Sequence, residues 1–167
     1  MNIFDVHIKN GEVIDGTGAP KFKSDIVIDK GKIIGVFPPE NGDVRDPSEN
    51  HFLSNFKAKH MINAENKIIS PGFIDVHTHD DDNVFLDPSM SSKISQGVTT
   101  CVAGNCGISL APFNYKGEVP APIALLGKSE VFRFPRVSDY KEEFNNKPSS
   151  VNLALLTGHS MLRVEAM

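Results

Sequence analysis

Several features that this sequence lacks narrow the field at the outset. Its 167 residues contain only two cysteines, Cys101 and Cys106, too few for a disulfide framework. No apolar run approaches the ~20 residues that a membrane-crossing helix needs. The opening Met1-Asn2-Ile3-Phe4-Asp5 has neither the basic region nor the apolar stretch of a secretory leader. Basic excess is missing too: 17 Lys and Arg stand against 21 Asp and Glu, a net charge of −4. That removes the electrostatic footprint expected for nucleic acid or an anionic membrane surface. With 40% hydrophobic and 23% charged residues, the composition also argues against wholesale disorder. A cytoplasmic protein of one domain, or one and a fraction, is the expectation.

The two thiols are expected to stay apart. Cys101 and Cys106 are five positions apart, and five extended residues span about 16 Å, whereas a disulfide holds its Cα atoms about 4.4–6.8 Å apart. Only a sharp turn at Gly104 would bring them together.

Residues 1–70 read as small β structure. Phe4-Asp5-Val6-His7-Ile8 alternates apolar and polar residues, Asn10-Gly11 is a turn signal, and Val13-Ile14 resumes the pattern. Asp25–Ile28 and Lys32–Val36 form a strand pair around Asp29-Lys30-Gly31. Met61–Ala64 and Lys67–Ile69 read as a further hairpin around Glu65-Asn66. Short strands with close turn signals predict a small sandwich or barrel. Residues 38–59, with Pro38-Pro39, Asn41-Gly42 and Asp46-Pro47, read as a mobile insertion holding a helical turn at His51, Phe52 and Phe56.

The style changes at Pro71-Gly72. Phe73–His77, Val98–Ala103 and Val151–Leu156 read as buried strands. Between them lie a helix over 87–96 with Pro88 in its first turn, and a helix over 139–145 capped by Ser138. Another helix begins at Met161. Near-continuous apolar strands alternating with helices predict a parallel sheet covered on both faces, the α/β class. A closed eight-stranded α/β barrel takes about 250 residues. The 167 residues could hold only part of one.

Candidate chemistry collects at the carboxyl ends of these strands, where α/β folds place their sites. His77 and His79 leave the same strand face at i and i+2, so two imidazoles can converge on one metal ion, with Asp75 on that face as well. In Gly104-Asn105-Cys106-Gly107, two glycines frame a thiol in a tight turn. Cys106 is either a soft zinc ligand or a small packed residue, and Cys101, in mid-strand, reads as the latter. Asp80-Asp81-Asp82 reads as a mostly solvated turn, one member of which could orient a ligand histidine. His159, with Arg163 one turn on, contacts substrate or metal, or else has a structural role. His7, His51 and His60 carry no signal.

Pro71-Gly72-Phe73-Ile74-Asp75-Val76-His77-Thr78-His79 resembles the first barrel strand of the metal-dependent amidohydrolase superfamily. Three further stretches narrow the likeness: Asp80-Asp81, Gly97-Val98-Thr99-Thr100 leading to Gly104-Asn105-Cys106-Gly107-Ile108-Ser109, and Gly158-His159-Ser160 with Arg163. Together they resemble the N-acyl-D-amino-acid deacylases, or D-aminoacylases. Asn10-Gly11 and Ile14-Asp15-Gly16-Thr17-Gly18 are similar to that family's opening β segment. The resemblance implies a (β/α)8 barrel, of which residues 71–167 supply the first three β/α units and 1–70 a preceding β-sandwich segment. It implies zinc held by His77, His79 and Cys106 and a small-molecule N-acyl-D-amino acid as substrate; His159 and Arg163 are the expected substrate contacts. It also implies that the proton-shuttling aspartate belongs to a later strand beyond Met167, so that the 167 residues alone would be inactive. A hydantoinase or dihydroorotase is the alternative within the superfamily. Dihydroorotases tend to follow HxH with an arginine where Asp80 stands here, and they use a modified lysine in place of a thiolate. The alternative from another class is a non-catalytic binding or structural fragment.

Overall fold

The computed structural model describes residues 2–37 and 56–167, which divide between Pro71 and Gly72 into two units. Most of the insertion read at 38–59, including His51 and Phe52, lies outside the described residues. Its last positions, from Phe56, belong to a strand and not to a helical turn.

The first unit contains β1 (Asn2–Val13), β2 (Phe22–Asp29), β3 (Lys32–Phe37), β4 (Phe56–Asn63) and β5 (Ile68–Ile69). They form one sheet in the order β3-β2-β1-β4, with β5 also paired to β1. The β2–β3 hairpin turns on Lys30 and Gly31, both left-handed, as a two-residue connection requires.

Two turn readings are corrected. Asn10-Gly11 does not reverse the chain. It sits in a register shift within the continuous strand β1, because Asp25 on β2 captures the backbone group that the irregularity frees. The Asn10 N–H donates to Asp25 Oδ1 at 2.8 Å, and Nε2 of buried His7 lies 2.8 Å from Oδ2 of the same carboxylate. Nor do β4 and β5 make a hairpin. Both run parallel to β1, one after the other, separated by a turn at Glu65-Asn66. The Ala64 N–H bonds to Lys9 O and the Glu12 N–H to Lys67 O, so the break in the partner strand falls opposite the irregularity in β1. Because every described strand of this unit joins the same sheet, the second layer of the expected sandwich is not found among the described residues.

The second unit contains β6 (Phe73–Asp75), α1 (Asn83–Leu86), α2 (Ser91–Ile94), β7 (Val98–Ala103), β8 (Phe113–Asn114), β9 (Arg133–Phe134), α3 (Val137–Asn146), β10 (Asn152–Leu155) and α4 (His159–Ala166). Strands β6, β7 and β10 form a parallel sheet in chain order, while β8 and β9 make a small antiparallel pair within the long connection. Met90, Cys101, Ile108, Phe113, Tyr140 and Met161 lie at the centre of the core.

The expected buried character of the first strand is corrected. Phe73 and Ile74 on β6 and Val76 just past it are 59%, 61% and 68% exposed, so their side chains lack cover among the described residues, where β6 pairs only with β7. The helix read over 87–96 shrinks to α2 at Ser91–Ile94, while α1 (Asn83–Leu86) lies wholly before that range. The Asp87 side chain accepts from the N–H and hydroxyl of Ser89, and Met90 turns left-handed, so Pro88 lies in the link and not in a first helical turn. At α3 the cap is Arg136 in place of Ser138: the Asp139 carboxylate reaches back to the Arg136 N–H at 3.0 Å. Helix α4 starts at His159, two residues ahead of the expected Met161. Among the described residues no helix is long and apolar enough to cross a membrane.

Candidate metal centre

Strand β6 stops at Asp75, so His77 and His79 stand in the loop that follows and not on the strand itself. The loop is nonetheless fixed. The Thr78 N–H continues the sheet pairing by donating to Val102 O at 3.2 Å, and the His77 N–H donates to Asp75 Oδ1 at 3.2 Å. Thr78 is buried between the two histidines, His77 is exposed and His79 half-buried.

Cys106 arrives from the end of β7. Gly104, Cys106 and Gly107 all take positive φ, at 80°, 56° and 75°. For a residue with a side chain that conformation costs about 1–2 kcal/mol, so Cys106 is held there by its surroundings. The Ile108 N–H bonds to Asn105 O at 3.0 Å, and Asn105 Nδ2 donates to Val102 O at 2.6 Å. The turn also rests on the start of α4: the Ser160 N–H donates to Gly107 O at 2.8 Å, and the Gly158 N–H to Ser109 Oγ at 2.9 Å.

These two loops bring His77, His79 and Cys106 together. One ligand atom from each lies within 4.8 Å of the others. Nε2 of His77 is 3.0 Å from Cys106 Sγ, and the imidazole rings are 5.8 Å apart at 77°. Nδ1 of His79 is buried with no hydrogen-bond partner. Ligand atoms about 2.0–2.3 Å from one ion stand roughly 3.3–4.5 Å from each other. Two imidazoles, one with an unsatisfied ring nitrogen, and a thiol fit a thiophilic divalent ion such as zinc. The 3.0 Å His77–Cys106 pair is slightly closer than an ion between them would set.

The acidic triplet is not a solvated turn. Asp80 accepts from the Thr78 hydroxyl and pairs with Lys93 at 2.9 Å. Asp81 is buried, its Oδ2 accepting from the Gly104 N–H at 3.4 Å and its carbonyl from the Tyr140 hydroxyl at 2.6 Å. Burial pushes the Asp81 carboxyl above the usual carboxylate range, and its Oδ1 has no partner. Asp82 pairs with Arg133 at 3.2 Å, whose guanidinium lies over the rings of Phe85 and Phe134. Each partner is far along the chain, which is why a run of three carboxylates looks solvated when read locally.

Lys93 was not singled out by the sequence, where it is one lysine in a short polar helix. Its Nζ donates to Asp75 Oδ2 at 2.6 Å and to Thr78 Oγ1 at 3.3 Å, beside its pairing with Asp80. Burial disfavours the ammonium, but the hydrogen bonds to Asp75 and Asp80 outweigh it and hold Lys93 firmly charged. In turn the Lys93 hydrogen bond keeps the Asp75 carboxyl below its ordinary value. His159 and Arg163 are exposed on α4, and His159 is not one of the three clustered ligands. Cys101 is fully buried in the core, where desolvation pushes its thiol up.

The profile of the amidohydrolase family matches residues 60–167. The D-aminoacylase of Alcaligenes xylosoxydans xylosoxydans is 38% identical over 164 residues, 98% of this chain and 31% of that protein. The N-acyl-D-aspartate deacylase of the same organism is 38% identical over 163 residues, 98% of this chain and 30% of that protein. Among solved structures, the N-acyl-D-glutamate deacylase from Bordetella bronchiseptica, complexed with zinc and a phosphonate inhibitor, superposes with a TM-score of 0.84 at 38% identity. That match covers 99% of this chain and 32% of the deacylase. The chain thus spans about three-tenths of the length of the curated relatives it matches.

Proposed function

The chain belongs to the amidohydrolase family, and from that premise we propose that it is the N-terminal part of a zinc-dependent hydrolase of N-acyl-D-amino acids. In this reading β6, β7 and β10 are the first three strands of a (β/α)8 barrel, and residues 1–70 contribute to a separate small β domain. The observation that carries the reading is the thiol. Cys106 closes on the two imidazoles through a left-handed turn, giving a mixed nitrogen and sulfur donor set. The relatives sharing 38% identity with this chain are named as acylases and deacylases of D-amino-acid derivatives.

His77, His79 and Cys106 would hold the ion. When bound, zinc supplies Lewis acidity toward a carbonyl oxygen and lowers the pKa of water toward about 7. The chain's own residues do the rest of the work assigned to them here. Asp75 and Thr78 fix the His-bearing loop, while Asn105 fixes the Cys-bearing one. His159 and Arg163 on α4 are the proposed contacts to a small-molecule substrate, Arg163 offering a fork suited to the substrate's carboxylate.

Zinc titration of the chain against a competing chelator tests the metal half of this reading, with one equivalent expected to bind. Assay of the enzyme that carries this chain on N-acetyl-D-methionine, N-acetyl-L-methionine and a hydantoin tests the other half. Turnover of the D-compound alone is expected, and preference for the hydantoin would replace the reading with a cyclic amidohydrolase.

A further inference from the structure

Lys93 touches none of the three ligands, yet its contacts bracket two of them. Its ammonium bonds to Asp75, to Thr78 and to Asp80, the residues on either side of His77 and His79. Asp75 passes the contact on directly, since its other oxygen accepts the His77 N–H. Thr78 passes it on twice, through its hydroxyl to Asp80 and through its N–H to Val102 on β7. These are not exposed surface pairs of the kind that contribute little. The side chains of Lys93, Asp75 and Asp80 keep only 22%, 28% and 19% of their exposure.

We propose that Lys93 is a positioning residue for the metal centre, holding the loop 75–80 in the conformation that presents His77 and His79 to the ion. This rests on the metal-binding reading above. Past Asp75 a single sheet hydrogen bond, from the Thr78 N–H to Val102 O, leaves the loop several ways to run, and only some aim both imidazoles at Cys106. One cation from α2 bonded to Asp75, Thr78 and Asp80 removes that freedom before any metal arrives. Groups that orient ligands in this way are typically worth about 10–100-fold in metal affinity.

The test uses the full chain carrying Lys93→Met, with Lys93→Arg as the charge-preserving variant. Two measurements are made on each: zinc affinity by chelator competition, and amide hydrogen exchange of the metal-free protein. Lys93→Met should bind zinc at least tenfold more weakly. In the metal-free state the His77 and Thr78 amides should exchange at least tenfold faster, with Cys101 and Val102 on β7 unchanged. Lys93→Arg, able to bridge both carboxylates, should recover most of both effects. Unchanged exchange at His77 and Thr78 in folded Lys93→Met overturns the proposal whatever the zinc result. If the wild-type chain binds no zinc, the metal-binding reading fails while the exchange data still decide the role of Lys93. Where Lys93→Met does not fold, Asp80→Asn takes its place: faster exchange at Thr78 supports the proposal, and wild-type exchange refutes it.

Discussion

Nε2 of His77 lies 3.0 Å from Sγ of Cys106, across 29 positions of chain and between two loops rather than two strands. The closeness depends on the backbone at both ends. Thr78 extends the pairing with β7 beyond Asp75, and Cys106 takes a left-handed conformation that few residues with a side chain adopt. Strain of this kind is retained where the surroundings impose it, and such places concentrate at functional sites.

The two cysteines should therefore separate cleanly on substitution. Cys106→Ser replaces a soft thiolate with a poor ligand and should lower zinc affinity by at least tenfold, with little change in unfolding free energy. Cys101→Ser places a hydroxyl in the buried core that includes Met90 and Met161, and should cost about 1–3 kcal/mol while leaving zinc affinity intact. Chelator competition and urea unfolding on both variants check this, and equal zinc affinity in the two would defeat it.

Much of this was legible from residue order, because His77, His79 and the Gly-framed Cys106 sit directly after apolar, β-branched strands. Chain order also carried the parallel sheet, since Val98–Ala103 and Asn152–Leu155 read as strands separated by helical segments. What local reading missed is long-range pairing. Nothing near Asn10-Gly11 announces that Asp25 will accept the freed N–H and keep the strand running. Nothing in Asp80-Asp81-Asp82 names Lys93, Gly104 and Arg133 as partners. The β8–β9 pair was missed because two-residue strands show no period.

Asp81 gives the chain a pH dependence of definite sign. Burial raises its folded pKa above the ordinary 3.8, so the folded state favours the neutral form. Its contribution to stability is fully present below pH 3.8 and is lost as pH rises through the raised folded value. Once ionised, Asp81 is a buried carboxylate with one oxygen unpartnered. Asp81→Asn should raise the urea midpoint of the metal-free chain at pH 7, and the gain should vanish below about pH 4. A variant less stable than wild type at pH 7 would show that the charge is compensated.

Tyr140 ties α3 to the acidic turn. Its hydroxyl donates to Asp81 O at 2.6 Å, and its ring packs edge-on against Phe85 and Phe134 at 5.1 Å from each. Tyr140→Phe keeps the ring contacts and leaves a buried carbonyl without this donor. The expected cost is about 1–3 kcal/mol, read by urea unfolding, and a neutral result would mean that another donor replaces the hydroxyl.

Gly104 and Gly158 offer a sharper comparison, because both are crowded and only one is strained. A Cβ at Gly104 would stand 2.1 Å from Leu156 O, a backbone atom, at a φ of +80°. The Leu156 N–H is bonded to Ala103 O, so the chain after β10 cannot withdraw without breaking the contact that carries the sheet into the Cys106 turn. Gly104→Ala therefore combines a left-handed penalty of about 1–2 kcal/mol with an overpacking cost of about 1–3 kcal/mol. At Gly158 the nearest backbone atom is Gly107 O at 2.6 Å, but the backbone lies at φ −70°, so Gly158→Ala carries the steric cost alone. Gly104→Ala should be the more destabilising by roughly the left-handed penalty, about 1–2 kcal/mol. Both should weaken zinc binding, since each moves the turn that holds Cys106 in place. Urea unfolding and zinc competition on the pair decide it. A Gly158→Ala chain less stable than Gly104→Ala would mean that packing of α4, and not backbone conformation, governs where the thiol stands.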